Sequence, residues 1–439
     1  MPKHKGTVAC VDISYLADFE GQCNDAIYAN YSIVPYNNMT ARPNGQEGIV
    51  SAGTPWKLAN HAPTPYALGV ETVETNDATV KPASEPLPVA MIGVGGFGAQ
   101  TLHALLRCPL VKLVGLSDRD ETLAARIGAE HNIPAYSDNR SMLAETRPAA
   151  VYATVPPAAG GDLLELCASR HIHLWKEMPL GRTIEEAAAF VRRAEQAGIK
   201  LAVGTQRRFA ATYRRAHELR SRLGDIFLGR AHYLFNWGPH LAWRGDKASG
   251  GGALIELGYH PIDLLIWSFG LPDAVYGLTT CGRRMEPLLP EDKRQPPYDT
   301  DDTACVMMRY ANGTMVTVVT TRVSGPVSEE LILHGRFGSL RADAEQCVLR
   351  DADGSVLESL ADPTRPATAY ERQVKAFAQA VLTDAAHYPC SGRENLLNVA
   401  TIEAIYLSDR TAQPESPRER LRSQGFTVEE CLVHVKSES

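Results

Sequence analysis

An α/β domain followed by an α+β domain is the architecture this sequence predicts, and three observations predict it. Short apolar strands alternate with helical stretches from Leu87 to about residue 206, which means a parallel sheet with helices on both faces. After residue 207, strand-like runs follow one another with a hairpin turn at Ala311-Asn312-Gly313-Thr314, which means a large, mostly antiparallel open sheet. At 439 residues the chain is too long for one small core.

Composition removes several classes of function. With 44% hydrophobic and 22% charged residues the chain is of the globular type. A net charge of −7 argues against nucleic acid as a partner, because phosphate binding needs a basic surface. No apolar run approaches the ~20 residues of a membrane helix, and no signal-peptide core follows Met1. Nine cysteines without a CxxC pair read as reduced thiols in a cytoplasmic protein.

Taken in order, residues 1–86 are rich in Asn, Pro, Thr and Tyr without a sustained period, and read as an arm over the main body or a neighbouring subunit. Residues 87–206 carry the alternation. Val89 to Ile92 is a strand that runs into Gly93-Val94-Gly95-Gly96-Phe97-Gly98 and then a helix bearing Leu102, Leu105 and Leu106. A second strand, Val111 to Leu116, ends at Ser117-Asp118-Arg119. This is the Rossmann dinucleotide pattern. Gly93 makes the tight turn, Gly95 and Gly96 let a pyrophosphate approach, Gly98 packs the helix on the strand, and Asp118 grips ribose hydroxyls. Asp118 repels a 2′-phosphate, so NAD is favoured, and Arg119 keeps NADP open. Further strands are expected at Ala149 to Thr154, Ile172 to Trp175 and Lys200 to Gly204. Helices are expected at Asp162 to Arg170 and at Thr183 to Ala197, the latter with a capping-box start.

In residues 207–412 a helix over Ala211 to Leu223 precedes strands at Arg230 to Trp237, Ala274 to Thr280, Ala304 to Tyr310, Met315 to Val323 and Glu330 to His334. Two helices, Tyr370 to Leu382 and Arg393 to Arg410, close the domain, and 413–439 is an uninformative tail. Within this domain, Gly250-Gly251-Gly252 leaves the backbone open to close approach. The helix read after it puts Glu256, His260 and Asp263 at i, i+4 and i+7 on one face, with a kink or fresh start expected behind His260 because Pro261 lacks an N–H.

The order GxGxxG, Asp118, Lys176-Glu177-Met178-Pro179 and then Gly250 to Asp263 resembles the glucose–fructose oxidoreductase / inositol dehydrogenase / rhizopine-catabolism (Gfo/Idh/MocA) family over roughly Leu87 to Thr411. Arg208-Phe209, Trp243-Arg244, Asp302-Thr303-Ala304, Asn312-Gly313-Thr314 and Glu403 to Tyr406 add to the likeness. Glu256 stands where that family more often has aspartate. Ala158 to Gly161 lacks a histidine common there, which bears on one nucleotide-side contact.

The resemblance implies an NAD(P)-dependent dehydrogenase acting on the CH–OH group of a sugar, cyclitol or polyol, and a homo-oligomer formed through the open sheet. It implies Lys176 as the active-site lysine and His260 as the catalytic histidine. Chemically, Lys176 would polarise the reacting oxygen, His260 would exchange the proton, and Glu256 would orient the imidazole or touch a hydroxyl. Thr154, Pro156, Glu177 and Gln206 join the loop residues as cofactor candidates. Arg208, Trp243, Arg244, Tyr259 and Asp263 join Lys176 as substrate candidates, and no metal is expected. An NAD-retaining glycosidase, a reductase of a non-sugar carbonyl or imine, and a non-catalytic dinucleotide-sensing regulator are the competing readings.

Overall fold

The computed structural model describes residues 85–237, 242–281, 298–362 and 365–432. The expectation for the N-terminal arm lies outside them, apart from its last two residues.

Six parallel strands build the first sheet: β1 (Leu87–Ile92), β2 (Val111–Ser117), β3 (Ala135–Tyr136), β4 (Ala150–Ala153), β5 (His173–Glu177) and β6 (Leu201–Gly204). Their spatial order is 3-2-1-4-5-6, and it reverses between β1 and β4. Ligands of open α/β sheets bind at the carboxyl ends of the strands flanking such a reversal. The connecting helices are α1 (Gly98–Arg107), α2 (Glu121–His131), α3 (Asn139–Thr146), α4 (Gly160–Ala168) and α5 (Ile184–Gln196). Local chemistry sets their starts. The side chains of Asp120, Asp138 and Thr183 accept from backbone N–H groups of the first turns of α2, α3 and α5. The capping box expected at Thr183 is only half made. The Glu186 carboxylate instead accepts from the backbone N–H and the guanidinium of Arg182.

The second unit comprises α6 (Ala211–Leu219), β7 (Ile226–Asn236), α7 (Ala253–Glu256), α8 (Tyr259–Phe269), β8 (Ala274–Cys281), β9 (Asp301–Arg309), β10 (Met315–Thr321), β11 (Val323–Gly335), β12 (Gly338–Ala342), β13 (Gln346–Asp351), β14 (Val356–Ala361), α9 (Arg365–Leu382) and α10 (Gly392–Thr411). The eight strands form one sheet in the order 14-13-12-11-7-10-9-8, antiparallel except where β10 runs beside β7. Strand alternation gives it two unlike faces. Ala231, Val306, Val316, Val318 and Leu333 are buried, while Leu278, Met307, Met315 and Val319 stay exposed.

Three boundaries differ from the sequence reading. Strands β12 to β14 extend the sheet beyond the runs that were expected. Helix α9 returns to the first sheet: Phe377 packs edge-on against Tyr152 of β4 at 5.6 Å, and the Tyr152 hydroxyl donates to the Val374 carbonyl at 3.1 Å. The stretch after residue 413 is built into the body. Glu415 exchanges two backbone hydrogen bonds with Val275, and α11 (Pro417–Ser423) and α12 (Val428–Cys431) bury Leu421, Val428 and Cys431. The signals were local and faint: Pro417 in a first helical turn, and Thr427 with Glu430 in a capping box. No helix among the described residues is long and apolar enough to cross a membrane.

Candidate functional site

At the end of β1 the glycine loop is shaped by close approach. A Cβ on Gly93 would stand 2.5 Å from the Thr154 carbonyl oxygen, and one on Gly98 would stand 2.3 Å from the Gly93 carbonyl oxygen. The Thr154 hydroxyl donates to that same Gly93 carbonyl and ties β4 to the loop. Space beside Gly96 is open, and Phe97, next in the loop, is 46% exposed. Helix α1 therefore begins against the carboxyl edge of the sheet with no side-chain cap and no acidic residue in its first turn. Asp118, just past β2, accepts from the Val94 N–H at 2.9 Å and from the Asp120 N–H at 3.0 Å, which fixes its carboxylate beside the loop. Arg119 is exposed.

Two more strand ends contribute groups with spare hydrogen-bonding capacity. Oε2 of Glu177 accepts from the Met178 N–H, while Oε1 is buried without a partner. Burial pushes this carboxyl up to about 7, against the pull of the Met178 N–H, Lys176 and Arg207. Gln206 donates to the Tyr370 hydroxyl at 3.2 Å and keeps a buried, unpartnered Oε1. Pro156 leads into the 3-10 turn Pro157–Ala159 after β4. A cradle of N–H groups, an ordered carboxylate and orphaned acceptors at the reversal point fit an NAD-type dinucleotide.

In Asp118→Ala the ratio of kcat/KM for NADP over NAD is expected to rise by about tenfold or more, equivalent to about 1.4 kcal/mol. An unchanged ratio in steady-state assays would assign the preference elsewhere.

The three catalytic candidates, Lys176, Glu256 and His260, have different surroundings. Strand alternation turns Trp175 toward Tyr152 and sends Lys176 to the other face, beneath α4. There Lys176 is 2% exposed, and its ammonium donates to the carbonyls of Glu177 and Pro179. Burial lowers its pKa to about 8, partly offset by Glu177 and Glu186. Both bonds hold the turn after β5.

The other two residues lie on consecutive helices. α7 stops at Glu256 and α8 starts at Tyr259, so the fresh start comes ahead of His260 rather than behind it, with Pro261 in the first turn of α8. Leu257 and Gly258 between them keep helical dihedrals, and Glu256 and His260 take different partners. Oε1 of Glu256 accepts from Nε of Arg244, and Oε2 is buried without a partner. The carboxyl is raised by burial against the counter-pull of Arg244.

Arg208, Tyr259 and Asp263 are tied into a buried network. Arg208 donates from Nε and Nη2 to the two oxygens of Asp263 at 2.7 and 2.6 Å, and Nη1 lies 3.6 Å from Glu394. Asn398 donates to Asp263 at 2.8 Å, and the Tyr259 hydroxyl donates to Asn395 at 2.8 Å. All are buried. This network anchors α8 on α10 and leaves these groups no edge for a substrate. The three glycines at 250–252 likewise serve the protein's own packing. A Cβ on Gly251 would stand 2.2 Å from the Arg244 carbonyl oxygen, so the chain crosses itself there.

His260 is different. It is partly exposed, its Nδ1 is buried without a partner, and no described residue bonds Nε2. Tyr233 lies 5.8 Å away ring to ring. Arg207 stands beside them, 5.4 Å over the Tyr233 ring, and donates to Glu329 at 2.9 and 2.6 Å; Tyr213 donates to the other Glu329 oxygen at 3.2 Å. Burial and then the Arg207 charge hold the imidazole pKa well below its ordinary 6.5. Glu329 carries no signal in the sequence; 122 residues separate it from Arg207, and only the β7–β11 pairing brings it here.

Comparison with known proteins places the chain. Residues 87–205 match the family model described as an oxidoreductase family with NAD-binding Rossmann fold, and residues 213–341 match the GFO/IDH/MocA C-terminal domain. The D-xylose 1-dehydrogenase (NADP(+)) 2 of Haloferax volcanii is 28% identical over 337 residues, covering 73% of this chain and 97% of its own. A D-apiose dehydrogenase of Paraburkholderia graminis is 26% identical over 345 residues, covering 73% and 87%. A levoglucosan dehydrogenase solved with NADH and levoglucosan superposes with a TM-score of 0.68 at 21% identity, over 76% of this chain and 99% of the other, and so shares the fold.

Proposed function

Because the chain belongs to the NAD-binding Gfo/Idh/MocA oxidoreductase family, we propose that it oxidises a CH–OH group of a neutral sugar or cyclitol, with His260 as the base. The observation that carries this is the imidazole of His260, partly exposed with a free Nε2, in a cavity it shares with Arg207, Tyr233 and Glu329. The relatives' names, a xylose and an apiose dehydrogenase, support a sugar as the alcohol.

When bound, the cofactor supplies the hydride acceptor. The chain's part is to bind, orient and take the proton. Nε2 of His260 accepts the hydroxyl proton as the C–H bond breaks. With its pKa lowered, the ring is neutral at physiological pH and already in the basic form. Trp243 offers an indole face of the kind that packs on sugar C–H surfaces. NAD is the preferred cofactor, through Asp118.

A pH profile tests the base. The neutral ring persists below its usual range, so kcat/KM for alcohol oxidation is expected to stay flat from pH 8 to 6.5 and to fall only below the ordinary 6.5. An acid limb breaking above pH 7 that survives in His260→Asn would remove His260 from this role.

The exposed face bearing Leu278, Met307, Met315 and Val319 is proposed as the contact with a second copy of the chain, since apolar patches of this kind mark interfaces. Light scattering should give an oligomer that Met307→Asp dissociates. A monomeric mass for the unaltered protein contradicts it.

A further inference from the structure

Arg182, in the turn after β5, bridges the first unit to the second. Its Nη1 donates to the Ala248 carbonyl at 2.8 Å, across 66 residues of chain. Nε and Nη2 donate to the Glu186 carboxylate at 3.1 and 2.8 Å, and Glu186 also accepts from the Arg182 N–H at 2.6 Å. That carboxylate stands in the first turn of α5, where the helix dipole favours negative charge. The planar guanidinium is therefore aimed from its own side before it reaches the second unit.

The acceptor is fixed as well. The turn from Asp246 to Gly250 closes on itself: Asp246 accepts from the Ala248 N–H at 3.0 Å and from the Ser249 hydroxyl, and the Gly250 N–H donates to the Lys247 carbonyl at 3.0 Å. The Lys247 N–H donates to Asp299 at 2.8 Å. Gly250, at φ +90°, seats this turn on the first unit. A Cβ there would stand 2.8 Å from Cβ of Pro157, just after β4, and 2.9 Å from Cγ of Arg182. Across the reversal of strand order, Trp237, just past β7, meets Phe97 of the glycine loop edge-on at 5.7 Å. The second unit thus touches the first on both sides of the crevice that receives a dinucleotide. The Arg182 side chain is 39% exposed, so a single rim hydrogen bond and a seat without a side chain can part and re-form.

From this geometry we infer that Arg182 is a positioning residue for cofactor residence: it latches the Asp246 to Gly250 turn onto the ends of β4 and β5 and so slows escape of the bound dinucleotide. Glu186 acts through Arg182, by holding the guanidinium toward Ala248. The latch is made wholly of protein groups, and both residues work through the contact between the two units. The assignment rests on the dinucleotide site and is independent of which alcohol is oxidised.

Stopped-flow release of NADH from the full-length protein tests it, with no turnover required. Protein carrying NADH would be mixed with excess NAD, and the loss of energy transfer from tryptophan followed. In Arg182→Ala the off-rate is expected to rise about three- to tenfold, the contribution of one hydrogen bond, with the on-rate undiminished. A cation that bound the phosphates directly would lower the on-rate as well when removed. Arg182→Lys keeps a donor without the fork and is expected to restore part of the residence time. Denaturant midpoints should barely move, because Arg182 is exposed; a purely structural role would shift them together with the off-rate. Should Arg182→Ala fail to fold, Glu186→Gln, which loosens the guanidinium and leaves it in place, decides by the same rate, expected to rise about twofold or more. A rise of less than about threefold in Arg182→Ala, a lowered on-rate, or no restoration by lysine would overturn the assignment. An unaltered protein that bound no NADH would overturn the cofactor site and the latch together. Failure of the sugar-oxidation reading would show instead as the expected NADH kinetics without turnover.

Discussion

Replacing His260 with alanine is expected to lower kcat for sugar oxidation by about 10²–10⁴-fold, the range for a positioned general base. Affinity for NADH should be unchanged, because His260 lies on α8, away in sequence from the candidate cofactor residues at the ends of β1, β2, β5 and β6. The effect is large because the other ionisable candidates for this step are engaged elsewhere. Glu256 is committed to Arg244, Asp263 to Arg208, and Lys176 to two carbonyls. His260→Asn keeps the size and loses the basic nitrogen, so it should be nearly as impaired. Stopped-flow single turnovers would show the defect in the hydride step. A kcat within tenfold of the unaltered enzyme in both variants would contradict the assignment.

The second large effect is on stability. Arg208→Met leaves Asp263 and Glu394, both nearly inaccessible, without their shared cation. Breaking a buried ion pair by removing one partner typically costs about 3–5 kcal/mol. Asn398 satisfies one Asp263 oxygen, so the lower end of that range is expected. Denaturant midpoints would measure it. The double variant Arg208→Met/Asp263→Leu should recover part of the loss, because one of the two stranded carboxylates is then removed, Glu394 remaining. If Arg208→Met alone were neutral, the network would not be what anchors α8.

The glycine loop was readable because its determinants are local. Strand, Gly93 to Gly98, helix and Asp118 lie within about 30 residues, and each has a backbone reason to be there. The βα alternation and the hairpin at Asn312-Gly313 were legible for the same reason. Side-chain direction was not legible. A strand sends successive side chains to opposite faces, and nothing in Trp175-Lys176-Glu177 says which face meets the cleft; the α4–α5 side took Lys176. A helical spacing likewise does not say which partner a side chain takes, and Glu256 is bonded to Arg244, a residue of a separate turn. Arg207 with Glu329, and Arg208 with Glu394, are joined by sheet pairing and helix packing across more than a hundred residues, so no local pattern marks them.

Hydride transfer to NAD from a neutral sugar or cyclitol is best tested by isotope. The purified protein would be given NAD and a panel of such alcohols, each with deuterium at the reacting carbon. The expected result is NADH formation with at least one of them, deuterium found in the nicotinamide by mass spectrometry, and slower turnover than with the protium form. Cofactor that binds but is reduced by no member of the panel, or product NADH without deuterium, would contradict the account.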